Sequence, residues 1–398
     1  MDLILPGESG SRGKLSFDSL LDFITIAIMS KTGLFLHALA FAAVLACGSF
    51  KSRAATNAPA AMVEIPKSLF ISIAALSQVP DAQVRSWFEH IMKHHRAPGS
   101  PQRINSLVLT TIGLTDPAAE DAGGALLLAS PPPGADSRGY SSAGGNRKLD
   151  IVAKYFECFD SIYVGTMNLK WKGATGTKYN AGIQDAEFRR RNIQVSTNLM
   201  DRFMATYPGL QFQWYISYEA NLNYFTDTRI KDGYVAFNSE LCREMKKRRD
   251  AAILWSPNFW TRSKLLTDQN RAVLAANLKD HFSRASISEV HFQDHRGGSS
   301  HYTASRKFTA EDTKYYYDLL KSLGGPEIAV NVEMFVRKIA RGKQTTVAMS
   351  HADYVKHMEE YAKYRLPLGA SWEIRYWYPA HWNPAMCGAD HPPRGPAR

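Results

Sequence analysis

Two glutamates lie in segments that have the pattern of buried strands, where an ionisable side chain needs a reason. The segment EIAVNVEMF, residues 327–335, alternates with a period of two, and its apolar side carries Ile328, Val330, Val332 and Met334. Glu333 falls on the other side, which points into the protein, where an unpaired charge is costly. The segment WYISYEANLNYF places Glu219 in register with Tyr215 and Ser217. Both carboxylates are therefore candidates for acid–base or nucleophilic chemistry.

A pair of facing carboxylates suits the hydrolysis of a glycosidic bond. One carboxyl group protonates the leaving oxygen, while the other attacks the sugar or activates a water. We predict that Glu219 is the acid–base and Glu333 the nucleophile of a retaining mechanism, with carboxyl groups about 5–5.5 Å apart, against roughly 6.5–9.5 Å for inversion. We also expect burial and repulsion to raise the pKa of the acid and to leave the nucleophile ionised near neutrality.

Polar and aromatic residues close to the two glutamates, or at the ends of neighbouring strand-like segments, could bind a sugar. The candidate substrate-binding residues are Tyr218, Asn221, Trp255, Gln293, Asp294, His295, Asn331 and Trp372. Gln293 and Asn331 would bond to sugar hydroxyls or orient the glutamates, and the two tryptophans would stack on a ring. Asp294 has a second interpretation, in which it caps the loop that turns at Gly297 and Gly298.

These residues need a scaffold that brings several strand ends together. Eight strand-like runs follow residue 65, at 68–76, 106–114, 161–169, 212–219, 251–258, 289–295, 327–334 and 368–376. Helical patterns lie between them, at 81–94, 149–159, 185–207, 239–249, 268–283, 310–323 and 351–364. Eight such units predict a single (β/α)8 TIM-type barrel, whose active site lies at the carboxyl ends of the strands. A doubly wound sheet is less favoured because no GxGxxG turn follows the first strand.

Two resemblances agree with this barrel. Glu219 and Glu333 occupy strands four and seven, as in the large retaining glycosidase clan of (β/α)8 barrels, and Trp372 ends strand eight, where that clan often keeps a sugar-stacking aromatic. That clan usually has Asn before the strand-four glutamate, whereas this chain has Tyr218. The phrases WYISYEAN, ILWSP, FQDHRG and NVEMF, within about residues 150–376, resemble a family of uncharacterised secreted (β/α)8 barrels regarded as glycosidases, with a domain of unknown function. This resemblance implies a carbohydrate-active barrel and gives no substrate.

The ends of the chain and one internal segment differ from the barrel in composition. The run MSKTGLFLHALAFAAVLACGSFKSRAATN has the basic start, apolar run and small-residue cleavage pattern of a secretory signal. We expect a signal or membrane-anchor segment at 1–54, with Cys47 as an alternative lipidation site. The barrel would span 55–387, with a flexible insertion at 115–147 and a loose tail at 388–398. The mature protein would then begin near Ala55 and be secreted, periplasmic or held in the cell envelope.

The composition of the chain limits the classes of molecule that it is expected to bind. The formal net charge of the 398-residue chain is +11, but no helix-turn-helix, zinc-finger or RNA-binding motif accompanies it, so we expect no nucleic acid partner. The expected partner is a polysaccharide or oligosaccharide, and the basic balance favours an anionic one. The four cysteines show no metal-ligand spacing, and a disulfide among Cys158, Cys242 and Cys387 is left open.

Two other functions are compatible with these residues. A barrel that binds carbohydrate without hydrolysing it would lose nothing when Glu219 is replaced. A metal-dependent hydrolase or deacetylase could use His291, Asp294, His295 and Glu333 as ligands. However, His291 and His295 are about 13 Å apart along one strand, and no HxH or HExxH motif occurs. We therefore expect no metal and no cofactor.

Overall fold

The described part of the chain forms a barrel of parallel strands. A computed structural model of the protein describes residues 65–96, 103–115, 125–135, 137, 139–141, 147–169, 182–340 and 343–381. The strands in these residues are β1 Ser68–Ser72, β2 Ser106–Thr110, β3 Gly113–Thr115, β4 Ala125–Leu127, β5 Ser161–Gly165, β6 Gln213–Ile216, β7 Ile253–Trp255, β8 Glu289–Gln293, β9 Glu327–Glu333, β10 Phe335–Ala340, β11 Lys343–Ala348 and β12 Leu368–Trp372.

Eight of these strands close the barrel in the order β1-β12-β9-β8-β7-β6-β5-β2, with every neighbouring pair parallel. Helices connect them: α1 Ile73–Leu76, α2 Asp81–His95, α3 Lys148–Ala153, α4 Ala186–Thr206, α5 Thr228–Arg248, α6 Asp268–Arg284, α7 Ala310–Ser322, α8 His351–Lys363 and α9 Ile374–His381. The predicted (β/α)8 barrel is confirmed, and each of the eight predicted strands contains one barrel strand.

Side chains pack on both sides of the barrel wall. Inside, a small cluster fills the centre: Phe70, Val108, Tyr163, Tyr215, Leu254 and Ala370, with Trp372 packed against it. Outside, the larger core lies between strands and helices and includes the apolar side of β9, Ile328, Val330, Val332 and Met334. Because successive strand residues alternate between the two sides, Asn331 and Glu333 face the barrel interior, as the sequence predicts.

Polar N-cap side chains mark where five of the helices begin. The loops that precede these helices end at the same residues. Side chains that accept a hydrogen bond from the first helical turn are Asp185 for α4, Asp227 for α5, Thr267 for α6, Thr309 for α7 and Ser350 for α8. Such caps satisfy backbone N–H groups that have no partner within the helix. For α7, Asp312 completes a capping box with Thr309.

Three regions differ from the sequence expectation. Part of segment 115–147 is regular, because β4 pairs with β3 and the apolar run from Ala125 to Ala129 is largely buried. The antiparallel hairpin β10–β11, between β9 and α8, was not predicted. Helix α5 begins eleven residues before the predicted 239–249 segment, at Thr228.

Several expectations lie outside the described residues. These include the signal or anchor segment at 1–54, with Cys47, and the tail at 388–398, along with Cys387. Cys158 and Cys242 are both free thiols. In the described part of the chain, no helix is long and apolar enough to cross a membrane.

Candidate active site

Strand pairing brings the ends of five neighbouring strands, with most of the predicted residues, to the mouth of the barrel. Gln293 at the end of β8 is the register partner of Asn331 on β9, and Glu333 at the end of β9 is the partner of Trp372 on β12. Beyond β6, a bridge joins Asn221 to Asn258, and a second joins Asn258 to Gln293. Glu219 lies in this extension of β6, two residues before Asn221. The carboxyl ends of β6, β7, β8, β9 and β12 therefore carry one polar surface.

Glu333 is buried against a glycine loop that follows β8. Its carboxylate Oε2 accepts a hydrogen bond from the Gly298 N–H at 2.5 Å, and the residue is 4% exposed. A Cβ on Gly298 would lie 2.9 Å from the His295 ring and 3.2 Å from Glu333 Oε2, and one on Gly297 would lie 2.1 Å from the Phe335 carbonyl oxygen. Only glycine allows the loop to come this close to the carboxylate.

The other oxygen of Glu333 has a different environment. Oε1 lies 3.9 Å from His295 Nδ1 and accepts no hydrogen bond from the described residues. Burial, followed by the charges of Arg337 and His301, lowers the pKa of His295 to about 4, so the imidazole is neutral at pH 7. Oε1 is therefore the Glu333 atom that a bound molecule could contact.

Burial and nearby polar groups set the pKa values of the two glutamates. Burial raises the pKa of Glu219 to about 7, while a hydrogen bond from Gln293 favours its ionised form. The pKa of Glu333 rises to about 8, mainly through burial and then through the charge of Asp294, with Glu219 adding to the rise. The Gly298 N–H and the charge of Arg337 act in the opposite direction on Glu333.

This result departs from one expectation. Burial raises the pKa of both carboxyl groups, whereas the sequence analysis expected Glu333 to stay ionised near neutrality. With pKa values of about 7 for Glu219 and about 8 for Glu333, the two groups together hold one proton at pH values between these two. In that range one group can act as acid while the other is ionised.

Asp294 is bonded to the protein on both of its oxygens. Oδ1 accepts hydrogen bonds from the Glu333 and Arg296 N–H groups, both at 3.2 Å, and Oδ2 accepts one from the Tyr361 hydroxyl at 2.5 Å. Arg296 in turn pairs with Glu360 at 2.6 Å. These contacts agree with the second interpretation of Asp294, in which it caps the loop. They tie the loop that carries Gly298 to β9 and α8.

Gln293 and Asn331 belong to a polar network that crosses the strands. Asn331 Nδ2 donates to Ser256 Oγ at 2.9 Å, Ser256 Oγ donates to the His291 carbonyl at 2.6 Å, and Gln293 Nε2 donates to the Ser256 carbonyl at 3.1 Å. Asn331 Oδ1 is buried and has no hydrogen-bond partner in the described residues. The network joins the ends of β7, β8 and β9, and the last of these carries Glu333.

Two predicted residues are placed away from the mouth. Trp255 is fully buried in the outer core, where its Nε1 donates to the Tyr218 carbonyl at 3.2 Å, because Leu254 takes the inward position on β7. Tyr218 is 1% exposed and packs against Phe237 with ring centroids 5.3 Å apart. Neither side chain can contact a ligand in the barrel mouth. Asn221 caps a short 3-10 helix through the Asn223 N–H.

Sequence reasoning missed one exposed aromatic at the rim. Trp260 is 56% exposed and stacks on His295, with centroids 5.9 Å apart and planes 20° apart. Its backbone N–H donates to Asn223 Oδ1 at 2.7 Å, and that of Thr261 donates to the same oxygen at 3.0 Å. The loop is thus held in place, while the indole ring stays accessible. The sequence feature that could have indicated Trp260 is the segment SPNFWTRS. This segment follows β7 directly and does not itself alternate between apolar and polar residues.

The predicted metal ligands do not converge. His291 lies deeper in the barrel, with Nε2 3.6 Å from Glu289 Oε2, whereas Asp294 points to Tyr361 on α8. Among the described residues, no group of three or more His, Cys, Asp or Glu side chains could hold a metal ion.

Comparisons with known proteins identify no family. No family model and no curated protein sequence matches the chain. The spore cortex-lytic enzyme SleL from Bacillus cereus aligns over 80% of this chain and 73% of its own, at 8% identity and a TM-score of 0.45. A family 1 β-glucosidase from Thermotoga maritima aligns over 78% of this chain and 89% of its own, at 10% identity and a TM-score of 0.43.

A GH18 chitinase from Cycas revoluta, solved in complex with (GlcNAc)3, aligns over 78% of this chain and 96% of its own, at 13% identity and a TM-score of 0.43. Similarities at these scores and identities support no conclusion about this chain. Its fold and candidate site therefore rest on their own geometry.

Proposed function

We propose that this chain is a glycoside hydrolase in which Glu333 is the nucleophile and Glu219 the acid–base. The observation that carries the proposal is the placement of two carboxyl groups at the mouth of one (β/α)8 barrel, Glu219 beyond the end of β6 and Glu333 at the end of β9. Burial raises the pKa of both. Paired carboxyl groups of which one holds a proton are what glycoside hydrolysis requires. The substrate would be an extracellular or cell-wall polysaccharide.

Contacts around the carboxylates favour this division of roles. Glu333 receives the Gly298 N–H on Oε2 and the charge of Arg337, and both stabilise its ionised form. Glu219 is partly exposed and has a single stabilising hydrogen bond, from Gln293. These contacts assign the proton to Glu219 in the reactive state. Because the pKa of Glu333 is about 8 and that of Glu219 about 7, this state is the less populated of the two singly protonated forms.

The reaction then takes two steps. Glu333 Oε1 attacks the anomeric carbon and forms a glycosyl ester, while Glu219 gives its proton to the departing oxygen of the leaving sugar. Glu219, now ionised, takes a proton from water as that water attacks the anomeric carbon and releases Glu333. Each step inverts the configuration, so the product retains it, which requires carboxyl groups about 5–5.5 Å apart.

Two indole rings flank this site. Trp372 is the register neighbour of Glu333 and packs on Phe70 with centroids 5.1 Å apart, inside the barrel. Trp260 stands at the rim and stacks on His295. A sugar ring presents apolar C–H groups that stack well on such surfaces, so we assign Trp372 to the reacting sugar and Trp260 to a neighbouring one.

The test is hydrolysis of a panel of extracellular and cell-wall glycans, read as newly formed reducing ends. We expect the wild type to cleave at least one glycan. Glu333→Gln and Glu219→Gln should lower that turnover by at least about 10³-fold and 10²-fold, respectively. On aryl glycosides whose leaving group needs no proton, Glu219→Gln should keep the first step, seen as a rapid release of the aryl group, and lose the second step, for which Glu219 is the base.

Glu289→Gln is the matched control, because Glu289 is another barrel-interior carboxyl group with a raised pKa, but it lies at the start of β8. Its turnover should stay within about tenfold of wild type. Glycan binding without turnover in the wild type would instead indicate a carbohydrate-binding barrel. Near-wild-type turnover in Glu333→Gln would refute the proposed mechanism.

We also propose that the protein is exported, on the strength of the signal-like segment before residue 55. Amino-terminal sequencing of the protein from separate cell fractions should find a start near Ala55, or at a lipidated Cys47, outside the cytoplasm. An intact cytosolic chain would contradict export and leave the enzymatic proposal unaffected.

A further inference from the structure

A cavity lies beside the candidate nucleophile, under the hairpin that follows it. Its volume is about 350 Å³, and the ends of β1, β2 and β12 form its floor together with α9. The hairpin β10–β11 contributes Phe335, Arg337 and Thr346. Trp372, the register neighbour of Glu333, also lines it. The cavity therefore lies next to the strand end that carries Glu333, and Trp372 belongs to both places.

The hairpin above this cavity is strongly basic. Residues 334–350 contain Arg337, Lys338, Arg341 and Lys343 and no aspartate or glutamate. Arg337 and Thr346 are cross-strand partners, and both face the cavity. Lys338 pairs with Thr345 and occupies the alternate position on the same strand, so it points to the other face.

Of the two arginines that line this cavity, Arg337 and Arg375, only Arg375 forms an ion pair within the described residues. The Arg375 guanidinium binds both oxygens of Glu373 at 2.5 and 3.0 Å. The other carboxylate close to Arg337 is Glu333, whose pKa it lowers against the effect of burial. Arg337 is partly buried, so its charge is not fully screened by solvent.

Hydroxyl groups complete the lining. Ser72, Thr110 and Thr346 contribute hydroxyls to the cavity. Thr110 Oγ1 is buried and has no hydrogen-bond partner in the described part of the chain. Such a buried donor gains from a ligand oxygen placed within reach.

We infer that this cavity binds a negatively charged sugar unit, carboxylated or sulfated, next to the glycosidic bond, with Arg337 as the ligand of the anion. The inference rests on the proposed function and names its substrate class. A guanidinium presents two parallel N–H donors that match the two oxygens of a carboxylate or sulfate. Thr346 and Thr110 would donate to further oxygens, and Trp372 would cover the ring.

Binding to a glycan array separates this inference from catalysis. The array carries matched neutral, uronic acid and sulfated oligosaccharides, and the protein carries Glu333→Gln so that no glycan is consumed. We expect the bound set to be acidic, with affinity that falls as ionic strength rises. Adding Arg337→Gln should weaken this binding at least about tenfold and flatten the salt dependence.

Two further variants make the result specific. Lys338→Gln removes the same charge from the neighbouring residue and should change affinity by less than about twofold, because it faces away from the cavity. Arg337→Lys keeps the charge but loses the paired donors, so it should fall between wild type and Arg337→Gln. The ratio of affinities for the uronic acid and sulfated members of the array shows which anion is preferred.

Some outcomes would overturn the inference. These are a bound set of neutral glycans, no glycan bound at all, or equal losses for Arg337→Gln and Lys338→Gln. Neutral glycans that are hydrolysed by the wild type would leave the proposed function intact. Acidic glycans that bind through Arg337 while Glu333→Gln retains turnover would refute the proposed function and leave the cavity assignment intact.

Discussion

The two ends of the barrel interior both contain a carboxyl group with a raised pKa, but the two groups differ in their hydrogen bonds. At the amino end, Glu289 accepts the Tyr163 hydroxyl at 2.9 and 3.1 Å on its two oxygens and lies 3.6 Å from His291. At the carboxyl end, Glu333 has one oxygen bonded to Gly298 and one that accepts no hydrogen bond from the described residues. A raised pKa alone therefore does not mark a catalytic carboxylate.

The partners of the two carboxylates make the difference. Glu289 is paired with a phenol, and a hydroxyl donor of this kind satisfies a buried oxygen without leaving it reactive. Glu333 lies within the electrostatic reach of Glu219, Asp294 and Arg337, beside a cavity large enough for a sugar ring. Charges gathered around an open cavity favour function, whereas a closed hydrogen bond favours structure.

Two glycine-to-alanine substitutions, one at each end of the barrel, should give the largest difference between the effects on kcat and on stability. Gly298→Ala places a Cβ 2.9 Å from His295 and 3.2 Å from Glu333 Oε2, and Gly369→Ala places one 2.7 Å from Ala329 and 2.8 Å from His291. We expect Gly298→Ala to lower kcat about a hundredfold, because a misplaced reacting group is costly. Gly369→Ala should instead lower stability by about 1–3 kcal/mol and largely keep kcat.

Circular dichroism melting and kinetics on the same preparations check this pair. The comparison would be broken if Gly298→Ala kept wild-type kcat, or if both variants lost activity in proportion to their loss of stability.

The pH dependence of turnover should follow the titration of Glu219 and Glu333 at the barrel mouth, and not that of Glu289 at the amino end. The carboxyl pair has pKa values of about 7 for Glu219 and about 8 for Glu333. Below the lower value both groups are protonated and no nucleophile is present; above the higher value both are ionised and no acid is present. We expect a bell-shaped profile of kcat/KM with a maximum between them, and Glu289→Gln should leave its position unchanged. A maximum near pH 4, or a shift in Glu289→Gln, would show that other groups control turnover.

Stability should depend on pH through the same residue. Glu333 has a higher pKa in the folded chain than its ordinary value of 4.5, so its protonated form is favoured by folding. Its contribution is fully present below about pH 4.5 and is lost as pH rises through about 8. Glu333→Gln should therefore be more stable than wild type at pH 9, by on the order of 5 kcal/mol, and equal to it at pH 4. Chemical denaturation at both pH values measures this, and a difference that does not depend on pH would count against a buried Glu333.

Chelation should have the smallest effect. The proposed mechanism uses no metal, so dialysis against EDTA should change turnover by less than about twofold. Loss of activity that zinc or another divalent ion restores would favour a metal-dependent hydrolase.

The barrel and the inward position of Glu333 could be predicted from the sequence, because a period of two in residues 327–334 fixes which side chains face inward. The run ILWS around Trp255 is apolar on both sides of the strand, as buried parallel strands often are, so alternation could not show that Leu254 takes the inward position. Arg337 was missed for a different reason. The hairpin β10–β11 interrupts a β/α unit, and its place above the mouth follows from tertiary packing that no local pattern encodes.

The most direct test of the central claim is mass spectrometry of a covalent intermediate. Glu219→Gln is incubated with an activated aryl glycoside of the sugar found in the glycan panel. Glu333 can still attack this substrate, but the base that releases the intermediate is missing, so the intermediate should accumulate. The account predicts one added glycosyl mass on the peptide that contains Glu333. A glycosyl mass on another carboxylate, or turnover with inverted configuration and no adduct, would contradict it.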